Sequence, residues 1–233
     1  MIDKKFDEFW ELIDLLNKAE ALEHLIVIGS WAEYIYEESN LINNFKAELK
    51  TRDIDLMIKN KNKPRKAIDL ISIFKEAGYT VDRHILTHKT QILTSVRLEI
   101  EFLLTKVGPG LESTMKTNLG VTAETLRDIK ILKDNTIRVP VRGYIIIVPI
   151  PEAYVLQKIL INKERKNKIE KDRKAINNLL QYLSIDILKS IYNGMTKKQK
   201  KIIGIYNSEV ETLSFLEWFK ILAYNKSIFI NFK

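Results

Sequence analysis

Cysteine is absent from the chain, which excludes a disulfide framework, a thiolate metal site and a cysteine nucleophile, and fits a reducing compartment. Long apolar runs are missing too. No stretch approaches the roughly 18 apolar residues that span a bilayer, and the opening Met1-Ile2-Asp3-Lys4-Lys5-Phe6 lacks the apolar centre of a signal peptide. A cytoplasmic protein with no membrane partner is expected. Ser30 has no histidine near it in sequence and no nucleophile elbow around it, so a serine hydrolase is not indicated. His84 and His88 lie in a strand-like region, where their spacing does not make a metal pair, and a structural or exposed role is expected. No internal repeat is visible.

What is present describes a globular protein. The chain has 233 residues, of which 45% are hydrophobic and 9% aromatic, enough for one large domain or two small ones with a sizeable core. Its net charge of +8 and pI near 9.4 favour polyanionic partners such as RNA, DNA or nucleotide phosphates. A generally lysine-rich composition would give the same charge without that role.

Apolar residues Phe6, Phe9, Trp10, Ile13 and Leu16 recur at helical spacing, so a helix is expected over about residues 3–20. His24 to Ile28 reads as a buried strand, Gly29-Ser30 as a tight turn and Trp31 to Glu38 as a helix. After a polar loop, a strand is expected at Asp53 to Ile58, a helix at Arg65 to Ala77 stopped by Gly78, and further strands within Tyr79 to Leu86 and Gln91 to Leu104. Strand candidates at Thr136 to Val141 and Tyr144 to Val148 flank a turn at Arg142-Gly143. Pro151 suits the first position of a helix, and Glu152 suits its positive end. From there the pattern is helical, which sets a boundary near residue 150.

Two carboxylates stand out. Asp53 and Asp55 lie at i and i+2 of one strand, so they project to the same side while Ile54 and Leu56 point into the core. At roughly 5 Å and an effective dielectric of about 20, such a pair costs about 3 kcal/mol unless a cation sits between them. A divalent ion with oxygen ligands meets that need. Glu101 could add the third carboxylate of a two-metal site, and Glu99 competes for the same role. Upstream, the Gly29-Ser30 turn lets a ligand approach the backbone closely, and the helix that follows presents unpaired amides to a phosphate. Trp31, Tyr34 and Tyr36 could stack a base or belong to the core. For the carboxylates, the alternative is a solvated strand face paired with lysines.

Gly29-Ser30 at a strand end, the Asp53-Ile54-Asp55 strand and Glu101 on a later strand resemble the nucleotidyltransferase superfamily of DNA polymerase β. The stretch Ile147-Val148-Pro149-Ile150-Pro151-Glu152-Ala153-Tyr154-Val155-Leu156-Gln157-Lys158, followed by Arg165 and Lys171-Asp172, is similar to the second half of the signature of stand-alone nucleotidyltransferases that include AbiEii-type toxins. The resemblance runs from about residue 25 to about 183. It implies that Gly29 and Ser30 bind nucleotide phosphates, that Asp53, Asp55 and Glu101 bind Mg2+ or Mn2+, that Lys158 contacts the triphosphate, and that Asp172 is a later acid of the nucleotide site. Lys50 stands where relatives often carry arginine, which forgoes a bidentate phosphate contact. The third acid is Glu in place of Asp. On one continuous helix Lys158, Arg165 and Asp172 would share a face, since seven residues fall about 20° short of two turns.

The expected architecture is α+β: a polymerase-β-like core with a mixed sheet over residues 1–150, then a helical part over residues 151–233 that completes the cleft. The activity this implies is ATP- or other NTP-dependent transfer of a nucleoside monophosphate to an acceptor hydroxyl with release of pyrophosphate. One ion on Asp53 and Asp55 would orient the nucleotide, and a second bridged to Glu101 would activate the acceptor. An RNA 3′ end such as that of tRNA is the favoured acceptor, with a protein hydroxyl or a small molecule as other choices. An antitoxin protein would be the partner if the enzyme is a toxin. If the acceptor is a structured RNA, Lys197, Lys198, Lys200 and Lys201 are expected to add phosphate contacts. The alternative is an inactive nucleotidyltransferase-fold module that binds RNA or a partner protein through its basic surface.

Overall fold

The computed structural model describes residues 2–106, 108, 112–162 and 168–209. The chain divides into two compact units, Met1–Pro149 and Ile150–Lys233. The first is built on a mixed seven-stranded sheet.

Its centre is a pair of parallel strands, β2 (Asp53–Ile58) and β5 (Glu99–Thr105), with β1 (Leu25–Val27) antiparallel on the outer edge of β2. The other edge of β5 is shared. Its first residues pair with β4 (Thr90–Leu93), which continues to β3 (Thr80–Arg83), and its last residues pair in parallel with β7 (Thr122–Leu126), which continues to β6 (Thr114–Lys116). Alternation decides the faces. Ile54, Leu56, Ile100 and Phe102 are buried on one side, where Phe102 meets Phe74 of helix α3 (Leu70–Glu76) edge to face.

Helices α1 (Ile2–Lys18) and α2 (Ser30–Glu38) are joined by aromatic packing. Phe9 stacks on Trp31 at 4.2 Å between ring centroids, and the Trp10 indole N–H donates to the Tyr34 hydroxyl at 3.0 Å. Tyr36 is fully buried and donates its hydroxyl to the Pro149 carbonyl at 2.8 Å. Trp31, Tyr34 and Tyr36 are therefore core residues, and none offers a ring face for stacking a base. A short helix α4 (Lys130–Asp134) precedes the hairpin of β8 (Thr136–Val141) and β9 (Tyr144–Pro149), which turns at Arg142 and Gly143 with positive φ at both.

Helix α3 begins five residues later than its apolar pattern suggests. Asp69 caps it by accepting from the Ser72 amide, while Ile68 and Leu70 donate their amides to Asn118 and Leu119. Those long-range bonds keep the stretch before Asp69 out of the helix. They pass close to Gly120, whose φ is +77 and where a Cβ would stand 2.9 Å from the Ile68 carbonyl.

The second unit contains α5 (Pro151–Ile161), α6 (Ile169–Leu180), α7 (Ile185–Asn193) and α8 (Lys197–Glu209). Every residue from Glu152 to Leu160 is buried, so α5 is a central helix enclosed on all sides. Pro151 occupies its first turn, as its fixed φ and missing N–H allow. The buried Glu152 carboxylate accepts from the Ser184 amide at 2.8 Å, and Ser184 in turn caps α7. Lys158 and Asp172 lie on two separate helices, α5 and α6, so the condition of one continuous helix is not met and the pair is brought together by helix packing. Arg165 lies outside the described residues. Among the described residues no helix is long and apolar enough to cross a membrane.

The Tyr36 bond to Pro149 closes the first unit across 113 residues of chain. Tyr36→Phe should cost about 1–2 kcal/mol by leaving the buried carbonyl without its donor. Urea denaturation should show a lowered midpoint with an unchanged m-value.

Candidate active site

Parallel register sets the site. Asp53 lies beside Glu99, and Asp55 beside Glu101. Residues level with each other on neighbouring strands face the same way, so four carboxylates occupy one patch of the sheet, on strands about 4.8 Å apart. Further along the same face the residues turn apolar: Met57 and Leu103 join Ile26, Ile28, Ile129, Leu132 and Ile147 in a buried cluster that backs the acidic patch.

A fifth carboxylate belongs to this face. Glu124 of β7 is level with Leu103, and it went unnoticed in the sequence because β7 is a short strand whose neighbours only pairing reveals. Lys89 bridges it to Glu101: its Nζ is 2.5 Å from Glu101 Oε1 and 3.3 Å from Glu124 Oε2. Burial pulls the Lys89 pKa down, but the hydrogen bond and charge of Glu101, helped by Glu124, outweigh this and hold it above the ordinary lysine value. Gln91 Nε2 donates to Glu99 Oε1 at 3.2 Å, and the Thr51 hydroxyl donates to Asp53 Oδ2 at 3.3 Å.

The turn after β1 meets this patch directly. The Ile28 amide donates to the Asp55 carbonyl, which brings Gly29 against the aspartate. Gly29 has φ +65, and a Cβ there would lie 2.4 Å from Asp55 Oδ2. Only glycine satisfies both the left-handed backbone and the close approach. Ser30 then starts α2, whose first amides have no partners within the helix. An anion bound at those amides would also feel the Asp55 carboxylate. The two negative groups are compatible when a cation lies between them.

Asp53 and Asp55 fit such a cation. Magnesium keeps several waters and is held by one or two carboxylates together with substrate phosphates, which is what this pair and the neighbouring turn can offer. Among the described residues no group of three or more acidic or imidazole side chains gathers as an ion-binding set. Glu101 sits beside Asp55 in register, and its Oε1 is paired with the Lys89 ammonium.

Lys158 and Asp172 form their own pair. Their Nζ and Oδ1 atoms are 2.8 Å apart, with side chains 6% and 1% exposed, and the Lys158 ammonium lies 5.3 Å from the centre of the Tyr154 ring. Lys50 is an exposed residue 3.7 Å from Glu48. His84 and His88 occupy the link between β3 and β4, where His84 Nδ1 accepts from the Thr87 amide.

Two substitutions test these contacts. Gly29→Ala should cost about 1–3 kcal/mol from its φ of 65 and ψ of −155 alone and push the Asp55 carboxylate aside, lowering Mn2+ affinity in a calorimetric titration while circular dichroism stays native. Asp172→Ala should destabilise by about 3–5 kcal/mol, because it strands a buried ammonium, whereas Lys158→Met with Asp172→Leu should recover most of the loss. Retention of NTP binding by that double variant would make the pair structural; its loss would restore Lys158 to the phosphate site.

Residues 8–195 match a family model described as Nucleotidyltransferase. Among solved structures, the chain is similar to an antigenic nucleotidyltransferase-like protein from Paracoccidioides brasiliensis, with 12% identity over 91% of this chain and 85% of that one and a TM-score of 0.43. It is also similar to the antibiotic-resistance factor ANT(2'')-Ia, with 13% identity over 78% of this chain and 89% of that one and a TM-score of 0.41. Both scores lie below 0.5, so neither likeness bears on substrate or mechanism. No curated protein matches the chain.

Proposed function

Because the chain belongs to the nucleotidyltransferase family, we propose that it moves a nucleoside monophosphate from an NTP to an acceptor hydroxyl, with Asp53 and Asp55 as ligands of the divalent ion. The observation that supports this reading is the close approach of Gly29 to Asp55, which brings the Gly29-Ser30 turn and the carboxylate pair to one place. Bound there, Mg2+ or Mn2+ would neutralise triphosphate charge and orient the α-phosphate. The open amides at the start of α2 hold phosphate oxygens. Asp53 is kept in place by Thr51, and Asp55 by the Ile28–Asp55 backbone bond. The acceptor oxygen bonds to the α-phosphorus as the bond towards the β-phosphate breaks. The electron pair leaves with pyrophosphate, and the acceptor's proton passes to a carboxylate oxygen of the same face.

The acceptor we favour is an RNA 3′ end. A net charge of +8 and the exposed Lys197, Lys198 and Lys201 at the start of α8 support a polyanionic acceptor. The likeness of the sequence to AbiEii-type toxins supports a toxic activity restrained by an antitoxin protein.

Incubation with each α-labelled NTP, a divalent ion and total cellular RNA or protein tests the reading. Label is expected in RNA from the wild type and should fall by at least a hundredfold with Asp53→Ala or Asp55→Ala. Metal-free melting temperatures should be unchanged or higher in both variants, since each removes a like charge from the patch. Absence of label from every fraction with every NTP would favour a binding module without turnover.

A further inference from the structure

Lys89 reaches the acidic face by strand alternation. Leu93 of β4 is level with Glu99. Two residues back, Gln91 donates to Glu99, and two further back Lys89 meets Glu101 and Glu124. Its backbone is pinned: the Lys89 carbonyl accepts from the His84 amide at 2.9 Å, and the hydroxyl of its buried neighbour Thr90 accepts from the Thr122 amide at 2.9 Å. The ammonium side chain is only 18% exposed, and its two carboxylate partners are 25% and 37% exposed. It is a fixed cation delivered to the third acid by packed backbone, unlike the flexible lysines of an exposed helix.

We propose that the Lys89 ammonium takes the place of the second divalent ion, so that the site holds a single ion, on Asp53 and Asp55, when nucleotide is bound. This rests on the proposed nucleotidyl transfer. A divalent ion on Glu101 would have to bind Oε2 with an ammonium already 2.5 Å from Oε1 of the same carboxylate, and would then lie beside a positive charge that the pinned backbone keeps close. The compact ammonium already supplies the positive charge that a second ion would bring to the acceptor side. Lys89 is a positioning residue here: it orients Glu101 and Glu124 and closes their shared position to metal. The Lys89 contact departs from the two-ion arrangement expected from the sequence.

The test counts ions by Mn2+ paramagnetic resonance, with protein in excess over a non-hydrolysable NTP analogue. Wild type should bind one Mn2+ per bound analogue, and Lys89→Arg, which keeps the charge, should also bind one. Lys89→Met should bind two, and the additional Glu101→Gln change should return the count to one. Two ions in the wild type, or one ion in a folded Lys89→Met, would each overturn the inference alone, and the wild-type count does not depend on the folding of the lysine variants. No bound Mn2+ in the wild type would overturn the proposed function as well, so the two failures are told apart.

Discussion

Parallel pairing of β2 with β5 concentrates negative charge. It aligns Asp53 with Glu99 and Asp55 with Glu101, and the apolar alternates on the same strands leave these residues no other face to take. A one-residue slip in register would send Ile54 and Ile100 to the acidic side and put carboxylates into the core. Burial of the apolar alternates therefore holds the like charges together against their repulsion. Lys89 relieves the repulsion at one end of the patch, and an exchangeable cation on Asp53 and Asp55 would relieve it at the other.

The backbone around the patch is fitted to the same constraint. Gly29 gives Asp55 room that no other residue would leave, and α2 begins at the next residue, Ser30. Behind this helix the aromatic contacts of Phe9, Trp31 and Tyr34, and the bond from Tyr36 to Pro149, fix α2 against its surroundings. A site that must hold two negative groups close together needs such support, because any loosening lets them move apart.

The second unit meets its charge problem in another way. Lys158 lies in a helix buried along nearly its whole length, and Asp172 neutralises it from the next helix at 2.8 Å. Desolvation makes such a pair costly to form and costlier to break by halves. Glu152, also buried, is answered by the Ser184 amide. Both interactions join the central helix to a neighbour, so polar groups set which helices pair while apolar burial supplies the driving force.

Periodicity alone located α1, α2, β2 and the β8–β9 hairpin, because each has an apolar pattern of one clear period and a recognisable end: Gly29, Gly143 or Pro151. The shared face of Asp53 and Asp55 was legible for the same reason, since strand geometry acts between residues two apart. What tertiary structure decided lies at longer range. The late start of α3 depends on bonds to Asn118 and Leu119, and β6 and β7 are short strands stabilised by their partners. Lys89 and Glu124 are 35 residues apart, and Gly29 meets Asp55 only because β1 pairs with β2. Local sequence determined which side chains share a face, through the period of the backbone; strand pairing determined which faces adjoin, and hence that the carboxylate expected to bind a second ion is held by a lysine.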